Sequence, residues 1–397
     1  MDSFLFVIVV KLFRDKTGAG GTPDNKQIII KTVNCIIGVI SLLMQVQLAS
    51  ENDKDQWDLF VDRECGSFFL YYDWKFYYEY NNRNRYIPLL IRDETDSILG
   101  IFPVVEQYGP FYPSLYSLPK GASDGFLLKR DLSAPEKDHA VESFLGYIGE
   151  KYYHKAEYCF IRHQLPVSDD PVHRSPVLRE HGYHLLDNSS TKLPCTHILS
   201  LEQPFSEKIW AGSWSKKLRK RIRHTQKSDV RIISDDDLTY KDDFITMQIR
   251  TAKKFKSEIK KEVLDEVFRK FQKKMKLFML VRNSTPLAGA LCYYTPSMAY
   301  LAMAPYLPAA ENYLTNTLPI CASIRYACDQ GYRYYEMGVT STETLAFHKE
   351  KFCARKIPLM MYYKEFSFFR KSTNKIARSL IRNGKKISDL FGNNNEY

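Results

Sequence analysis

Short apolar runs alternate with longer amphipathic segments from about residue 56 to residue 363. The short runs have the length of buried strands, and the longer segments carry apolar residues at helical spacing. No linker rich in Pro, Gly or Ser is long enough to separate this region into independent modules. The pattern therefore predicts an α/β fold whose two halves share an interface.

A hairpin pattern occurs twice along the chain. The segment 90–95 followed by 99–102 (LIRDET, LGIF) is repeated by the segment 280–285 followed by 288–291 (LVRNST, AGAL). Each copy consists of an apolar strand, a polar turn and a second strand entered through glycine, which predicts a β-hairpin.

A helix that ends at glycine before a strand also occurs twice. The segment 178–183 (LREHGY) precedes the apolar residues 184–186, and the segment 327–332 (ACDQGY) precedes 333–336. Glycine at the position after a helix and an apolar run beyond it are typical of this unit. The two patterns recur in the same order, which indicates one α/β unit used twice, and the longer spacing in the first copy predicts an insertion at residues 121–150.

The predicted organisation has four parts. They are an N-terminal apolar extension (1–50), a first α/β unit (51–203), a second α/β unit that begins with a basic helix (204–363) and a basic amphipathic tail (364–397). Within the extension, residues 4–13 are too short to span a bilayer and residues 33–49 are marginal. A membrane anchor and a dispensable stretch upstream of a start at Met44 both remain open.

The segment 216–227 is strongly basic, with seven Lys or Arg among its twelve residues and no acid. Arg219, Arg223 and Lys227 recur every four residues, so they share one face of a helix. Ser215 is the predicted N-cap. Such a face predicts phosphate binding, because guanidinium groups pair with phosphate through two hydrogen bonds. A solvated basic surface is the alternative.

Three strands are predicted at residues 278–281, 289–294 and 298–304, followed by a helix from about residue 312 to 329 and a strand at 332–337. Strand, helix and strand in this order make a crossover, so the last two strands are neighbours in a sheet. Ligands of such sheets lie beyond the carboxyl ends of the strands, which here means near Ala304 and residues 338–341.

Composition and charge narrow the class of protein. Apolar residues make up 44% and charged residues 26% of the 397, as in ordinary globular proteins. Lys and Arg exceed Asp and Glu by 57 to 46, which predicts anionic partners. The eight cysteines form no C-x-x-C pair, which predicts reduced thiols in a cytoplasmic protein, without a structural metal.

The tail is basic as well. Residues 366–391 carry seven Lys or Arg and no acid before Asp389, and apolar Phe369, Ile376, Leu380 and Ile387 fall near one side of a helix. This pattern predicts a basic amphipathic helix. Three alternatives are open: peripheral contact of residues 366–391 with an anionic membrane, at the inner membrane face, docking on the protein itself, and partial disorder.

Two segments together resemble a known family. They are "YRYYEMGVTS" with the following "FHKEKFCARKIPL", and "WSKKLRKRIRHTQKSDV" in the basic region. The chain resembles the FemAB-type branch of the GNAT acyltransferases, which includes peptidoglycan-bridge aminoacyl transferases and acetyltransferases linked to polysaccharide synthesis. The resemblance covers roughly residues 56–363. It implies two tandem GNAT-like units, with mixed sheets flanked by helices.

The resemblance also implies functional residues. Lys349, Phe352 and Cys353 fall on the closing K-x-x-F-G motif of the family, in which Cys353 replaces glycine. It implies that Lys349 stabilises the oxyanion or holds the donor's terminal phosphate. Glu336 falls on the strand-end motif of the family, and because an attacking amine must be neutral, Glu336 is the expected base, directly or through water. The implied donor- or substrate-binding residues are Trp214, Arg219, Arg223, Lys227, Gly338, Thr340, Ser341, Phe352 and Asp124.

For two of these residues a structural role is the alternative. Lys349 would then be a helix-surface lysine beside Glu350 and Lys351, and Asp124 a turn residue. If the catalytic assignment holds, we expect the two units to meet so that Arg219, Arg223 and Lys349 open onto a common cavity.

The function that follows is acyl transfer, as an N-acetyltransferase or aminoacyltransferase. The expected donor is acyl-CoA, acetyl-CoA above all, or aminoacyl-tRNA, with tRNA then a partner. The expected acceptor is an amino group of a sugar, sugar nucleotide or peptide, such as a cell-envelope precursor. No metal is expected. The alternative is a non-catalytic protein that binds an anionic ligand or nucleic acid through the basic helix.

Overall fold

The computed structural model describes residues 44–80, 84–118, 125–164, 175–186, 195–254, 259–308, 317–340 and 342–391. Asp124, Ser341 and the N-terminal stretch up to residue 43 lie outside the described residues. Among the helices described, none is long and apolar enough to cross a bilayer.

Contacts divide the chain into two units. The smaller comprises residues 1–45 and 92–97, and its described part includes a turn in which Asp93 Oδ1 accepts from the backbone N–H groups of Thr95 and Ser97. The larger comprises residues 46–91 and 98–397 and is the main body of the fold.

The main body consists of strands and helices in alternation. The strands are β1 (Val46–Leu48), β2 (Asn84–Arg92), β3 (Ile98–Tyr108), β4 (Pro113–Ser117), β5 (Leu127–Leu128), β6 (Tyr158–Gln164), β7 (His184–Leu185), β8 (Cys195–Ser200), β9 (Val230–Asp235), β10 (Met275–Arg282), β11 (Thr285–Tyr294), β12 (Met298–Met303), β13 (Tyr334–Thr340) and β14 (Arg355–Glu365). The α-helices are α1 (Lys54–Arg63), α2 (Lys75–Glu79), α3 (Ala134–Tyr152), α4 (Ser175–Glu180), α5 (Lys216–Gln226), α6 (Lys241–Lys254), α7 (Lys261–Phe271), α8 (Thr317–Asp329), α9 (Glu343–Glu350) and α10 (Phe368–Phe391). Short 3₁₀ turns occupy Glu51–Asp53, Phe68–Leu70, Tyr72–Trp74 and Gln272–Lys274, and a π-helix occupies Ser206–Ser213.

These strands form one mixed sheet, in the order β1-β2-β3-β4-β6-β14-β8-β13-β12-β11-β10-β9, with β5 on β3 and β7 on β14. The pairs β4–β6 and β12–β13 are parallel. Strand β14 pairs with β6 through residues 359–365 and with β8 through residues 355–358. A mixed sheet flanked by helices confirms the predicted fold class.

The two halves exchange strands. Strand β8, before the predicted boundary at residues 203 and 204, pairs with β13 of the second half. Strand β14, from the end of the second half, pairs with β6 of the first. The boundary between residues 203 and 204 stays a prediction. Hydrogen bonds nevertheless pair strands before it with strands after it.

The repeated patterns form as expected. Strands β10 and β11 make a hairpin whose turn residues Asn283 and Ser284 both have positive φ. Helices α4 and α8 each end before a glycine of positive φ, Gly182 and Gly331, with the same pair of closing hydrogen bonds. The glycine is needed there because side chains disfavour the left-handed region.

The expected insertion at residues 121–150 is wrong. This stretch contains most of α3, which connects the parallel strands β4 and β6 just as α8 connects β12 and β13. The topological counterpart of α8 is therefore α3, and α4 corresponds to α9. The repeated helix-glycine-strand pattern therefore paired the end of α4 with the end of α8, although these two helices occupy different positions in the repeat.

Alternate residues of β10 pack into two cores on opposite faces of the sheet. Leu277 and Met279 belong to a cluster with α6, α7 and aromatic residues of the first half. Phe278 and Leu280 belong to a cluster with α5 and α8. Phe68 of the first half stacks on Tyr293 of β11, with ring centroids 4.2 Å apart. The halves therefore share a core, as the sequence predicts.

Helix α10 docks on the first half through a buried asparagine. The Asn374 side chain is fully buried and accepts from the backbone N–H groups of Phe111 and Tyr112. Its amide nitrogen donates to the Tyr112 carbonyl and to the Glu157 carboxylate, each over 2.8–2.9 Å. Of the open alternatives for the tail, the start of this helix shows docking on the protein.

We expect replacement of Asn374 with Ala to lower the free energy of unfolding by about 2 kcal/mol or more, because it leaves buried backbone groups unpaired. Chemical denaturation measures the change. Ser379→Ala, at an exposed position of the same helix, is the control and should shift the midpoint little. An unchanged midpoint for Asn374→Ala would show that the docking contact contributes nothing to stability.

Candidate active site

The parallel pairing of β12 and β13 stops partway along the strands. Residues 298–300 pair with 334–336, and beyond Glu336 strand β13 is irregular before it pairs again with β8 at Val339. Gly338 lies in this irregular segment with φ +77°, and an added Cβ would lie 3.4 Å from the Leu301 carbonyl oxygen. Only glycine occupies this position without strain. This end of the two strands is where the sequence predicts a ligand.

Lys349 points into this segment from α9. Thr342 caps the helix by accepting from the Leu345 N–H. The Lys349 side chain is 3% exposed, so the alternative of a helix-surface lysine is wrong. Its ammonium donates to the Gly338 carbonyl at 2.5 Å, to the Val339 carbonyl at 3.2 Å and to Thr340 Oγ1 at 3.0 Å. An ammonium has three N–H donors, so all three are engaged.

Burial makes the Lys349 ammonium more acidic than that of a surface lysine. Desolvation lowers the pKa of Lys349 from 10.5 to about 8, and the negative charge of Glu336 opposes part of that shift. Between pH values of about 8 and 10.5, Lys349 is protonated in the unfolded chain and neutral in the folded chain. Stability contributed by this group therefore rises with pH in that window.

The second predicted catalytic residue, Glu336, is buried beside Lys349. Its Oε1 accepts a hydrogen bond from the Thr196 hydroxyl, and Thr196 Oγ1 also lies 3.2 Å from the Gly338 carbonyl oxygen. The carboxylate and the ammonium are therefore connected through Thr196 and the Gly338 carbonyl oxygen. A buried acid and a buried cation at one strand end are the pairing that general acid–base chemistry uses.

His197 is part of the same network, and the sequence analysis missed it. Its Nδ1 lies 2.9 Å from Thr340 Oγ1. That oxygen also accepts from Lys349, so Thr340 links the imidazole to the ammonium. Burial and the Lys349 charge both lower the pKa of His197. The polar pair Thr196-His197 inside the apolar strand β8 was the available signal.

The turn after α9 anchors the start of α5. The Trp214 indole N–H donates to the Phe352 carbonyl at 3.2 Å, and the two buried rings meet edge to face. Cys353 has φ +62°, in the left-handed region that favours glycine, and its thiol lies 2.8 Å from the Ser213 carbonyl oxygen. Cys353, which stands where the family motif has glycine, thus occupies a backbone position with positive φ.

The basic segment forms α5 as the sequence predicts. Ser215 caps the helix by accepting from the Leu218 N–H, and Leu218 and Ile222 are buried. A surface depression of about 470 Å³ is lined by basic side chains alone. They are Lys216, Arg219, Lys220, Arg223, His224 and Lys227.

A second, apolar pocket of about 520 Å³ lies between α5, α8 and the π-helix, and Trp210, Trp214 and Ile222 contribute to its walls. The Arg223 guanidinium lies over the Trp210 ring, 5.6 Å from its centroid, so the basic depression borders this pocket. Lys349 lines neither of the two. The expected common cavity of Arg219, Arg223 and Lys349 is therefore not formed by these pockets, although Trp214 and Phe352 connect the two regions.

Tyr294 and Tyr300 are buried in the two cores. Within the described ranges, no group of three or more His, Cys, Asp or Glu is placed to hold a metal ion.

Comparison with known proteins gives one match in sequence and several in fold. Residues 213–349 match the family model described as an acetyltransferase (GNAT) domain. No curated protein matches the chain. FemX is similar in structure, with a TM-score of 0.64 and 13% identity, over 81% of this chain and 97% of FemX.

Two further solved structures are similar. A conserved protein of unknown function from Bacteroides thetaiotaomicron has a TM-score of 0.52 and 13% identity, over 81% of this chain and 99% of its own. L-PGS from Bacillus licheniformis has a TM-score of 0.50 and 12% identity, over 85% of this chain and 99% of its own. These likenesses concern the fold.

The match to an acetyltransferase (GNAT) domain supports the predicted acyltransferase class for the segment 213–349. The chain shares the fold of FemX, as the resemblance to the FemAB-type branch implies.

We expect Cys353→Gly to raise the free energy of unfolding by about 1 kcal/mol, because relief of the left-handed strain exceeds the added chain entropy. Cys353→Val should lower it, since a β-branched residue tolerates positive φ poorly. Chemical denaturation under reducing conditions measures both. A less stable glycine variant would show that the thiol contact to Ser213 outweighs the strain.

Proposed function

We propose that the protein transfers an acyl group to an amino group, with Lys349 and Glu336 as catalytic residues. The donor is acyl-CoA, acetyl-CoA above all, or aminoacyl-tRNA. The acceptor is an amino group of a sugar, sugar nucleotide or cell-envelope precursor. The observation that carries the proposal is the buried Lys349 ammonium at the point where β12 and β13 stop pairing.

Attack of an amine on a thioester or ester produces a tetrahedral oxyanion. A fixed positive charge in a site of low dielectric stabilises that oxyanion without reorganisation at the moment of reaction. The Lys349 ammonium is such a charge, and its longest hydrogen bond, to Val339 O at 3.2 Å, is the one that a substrate oxygen would replace. The backbone carbonyls hold the cation in place until that exchange.

The attacking amine must lose a proton during the reaction. Glu336 is the acceptor that this site offers, because its carboxylate is buried next to Gly338 and already fixed by the Thr196 hydroxyl. The transfer is direct, from donor to acceptor amine, and needs no covalent intermediate on the enzyme. Glu336 takes the proton of the amine, directly or through a water molecule, and collapse of the oxyanion then expels the coenzyme A thiolate or the tRNA hydroxyl group, which leaves with that proton.

The basic depression on α5 is the part of the proposed site that binds the phosphate groups of the substrates. Arg223 is held over the Trp210 ring, so its guanidinium group is positioned before a ligand arrives, and Arg219 lines the same depression. Coenzyme A, tRNA and sugar nucleotides all carry phosphate groups that such a surface would bind. Gly338, Thr340 and Phe352 shape the Lys349 region, Trp214 joins it to α5, and Asp124 and Ser341 stay predicted substrate contacts.

We expect Lys349→Gln to lower kcat/KM by about a hundredfold or more, because the variant lacks the charge that stabilises the oxyanion. In the wild type, kcat/KM should fall as pH rises through about 8, where Lys349 loses its proton, and this descending limb should be absent from the variant. Steady-state kinetics across pH with acetyl-CoA and an amino-sugar acceptor measure both effects.

The matched control is Lys351→Gln, two residues along and exposed, which should keep the rate and the pH profile. Thermal denaturation confirms that the Lys349 variant is folded before its kinetics are compared. Turnover within a few-fold of the wild type would show that the ammonium only supports the backbone of residues 338–340.

We expect the double variant Arg219→Gln and Arg223→Gln to raise KM for the phosphate-bearing substrate by about tenfold or more, since each removes a charge-assisted hydrogen bond. Its kcat should change little, and its KM should depend less on salt than that of the wild type. Arg221→Gln is the matched control, because Arg221 is exposed on the same helix outside the depression. Equal KM values for control and double variant would remove α5 from the binding site.

A further inference from the structure

Helix α10 contacts the protein with polar side chains. Besides Asn374, the Arg370 guanidinium donates to the backbone carbonyls of Tyr153, His154 and Ala156, and Arg378 forms an ion pair with the buried Glu157. A surface helix of a globular protein ordinarily buries its apolar side. The described part of α10 does the reverse for most of its contacts.

The opposite side of the helix is apolar and exposed. Phe368, Phe369 and Ile376 retain 74%, 71% and 62% of their accessible surface. Phe369 and Ile376 are seven residues apart, which is about two helical turns, so they share one face. We call these three residues the α10 apolar face. Two more exposed aromatic residues, Phe111 and Tyr153, adjoin the helix through their backbone contacts to Asn374 and Arg370.

The surroundings of this face are positively charged. Lys375 is exposed next to Ile376. The sequence of residues 366–391 contains seven Lys or Arg against one acid, and of these Arg370, Lys371 and Arg378 contact the protein. The whole chain carries a net charge of +11. A second copy of the chain would bring the same positive charge to the contact and would be repelled. The charge therefore favours an anionic occupant with an apolar interior.

We propose that the α10 apolar face binds to the surface of an anionic lipid bilayer. The two phenylalanine rings and Ile376 lie at the boundary of headgroups and acyl chains, and Lys375 contacts headgroup phosphates. The polar contacts of Arg370, Asn374 and Arg378 fix the helix to the protein, so the whole body is held at the membrane in one orientation. This inference does not depend on the acyl-transfer proposal, since it concerns binding alone.

The test is co-sedimentation of the full chain with vesicles of phosphatidylcholine, with and without phosphatidylglycerol. The wild type should bind the vesicles that contain phosphatidylglycerol and not those of phosphatidylcholine alone, and added salt should release it. The triple variant Phe368→Ser, Phe369→Ser and Ile376→Ser should lose about tenfold or more in affinity, because it lacks the inserted side chains.

The control is Leu59→Ser, which removes an equally exposed apolar residue from α1 and should leave vesicle binding unchanged. Circular dichroism establishes that all variants are folded, as expected for exposed positions. Absence of wild-type binding, or equal binding by the triple variant, would overturn the proposal. So would a dimer in solution that the triple variant abolishes, because a second copy would then cover the face.

Discussion

The hydrogen bonds of β14 hold the two halves of this protein together. That strand pairs with β6 over residues 359–365 and with β8 over residues 355–358, so a single extended segment completes the sheet of each half. Strand β8 in turn pairs with β13. Without this exchange, β6 and β13 would each present a row of unpaired backbone groups, which is unfavourable at a sheet edge. The shared core around Phe68 and Tyr293 reinforces the same connection.

The exchange also explains how the candidate site is assembled. Thr196 and His197 come from β8, which precedes the second half in sequence, yet they contact Glu336 and Thr340 on β13. Lys349 arrives from α9 and donates to the irregular part of β13. The network around the buried cation therefore depends on residues from both halves, and neither half contains it alone.

Local features of the fold could be predicted from the sequence, because they follow from nearby residues. The hairpins, the glycines at the ends of α4 and α8, and the Ser215 cap are set by spacings of a few residues. The burial of Lys349 could not be predicted, since its neighbours Glu350 and Lys351 are charged and give the segment the composition of a surface helix. The polar docking of α10 depends on Asn374 and on partners that are more than 260 residues away.

The position of β14 near the end of the chain has a consequence for synthesis on the ribosome. Strand β6 is complete by residue 164 and can pair with β4 on one edge, but the partner of its other edge is residues 359–365. For the time needed to translate the intervening residues, at about 5–20 per second, the nascent chain presents an unpaired strand edge. This protein should therefore depend on chaperones that shield emerging chains more than proteins whose sheets close in the order of translation.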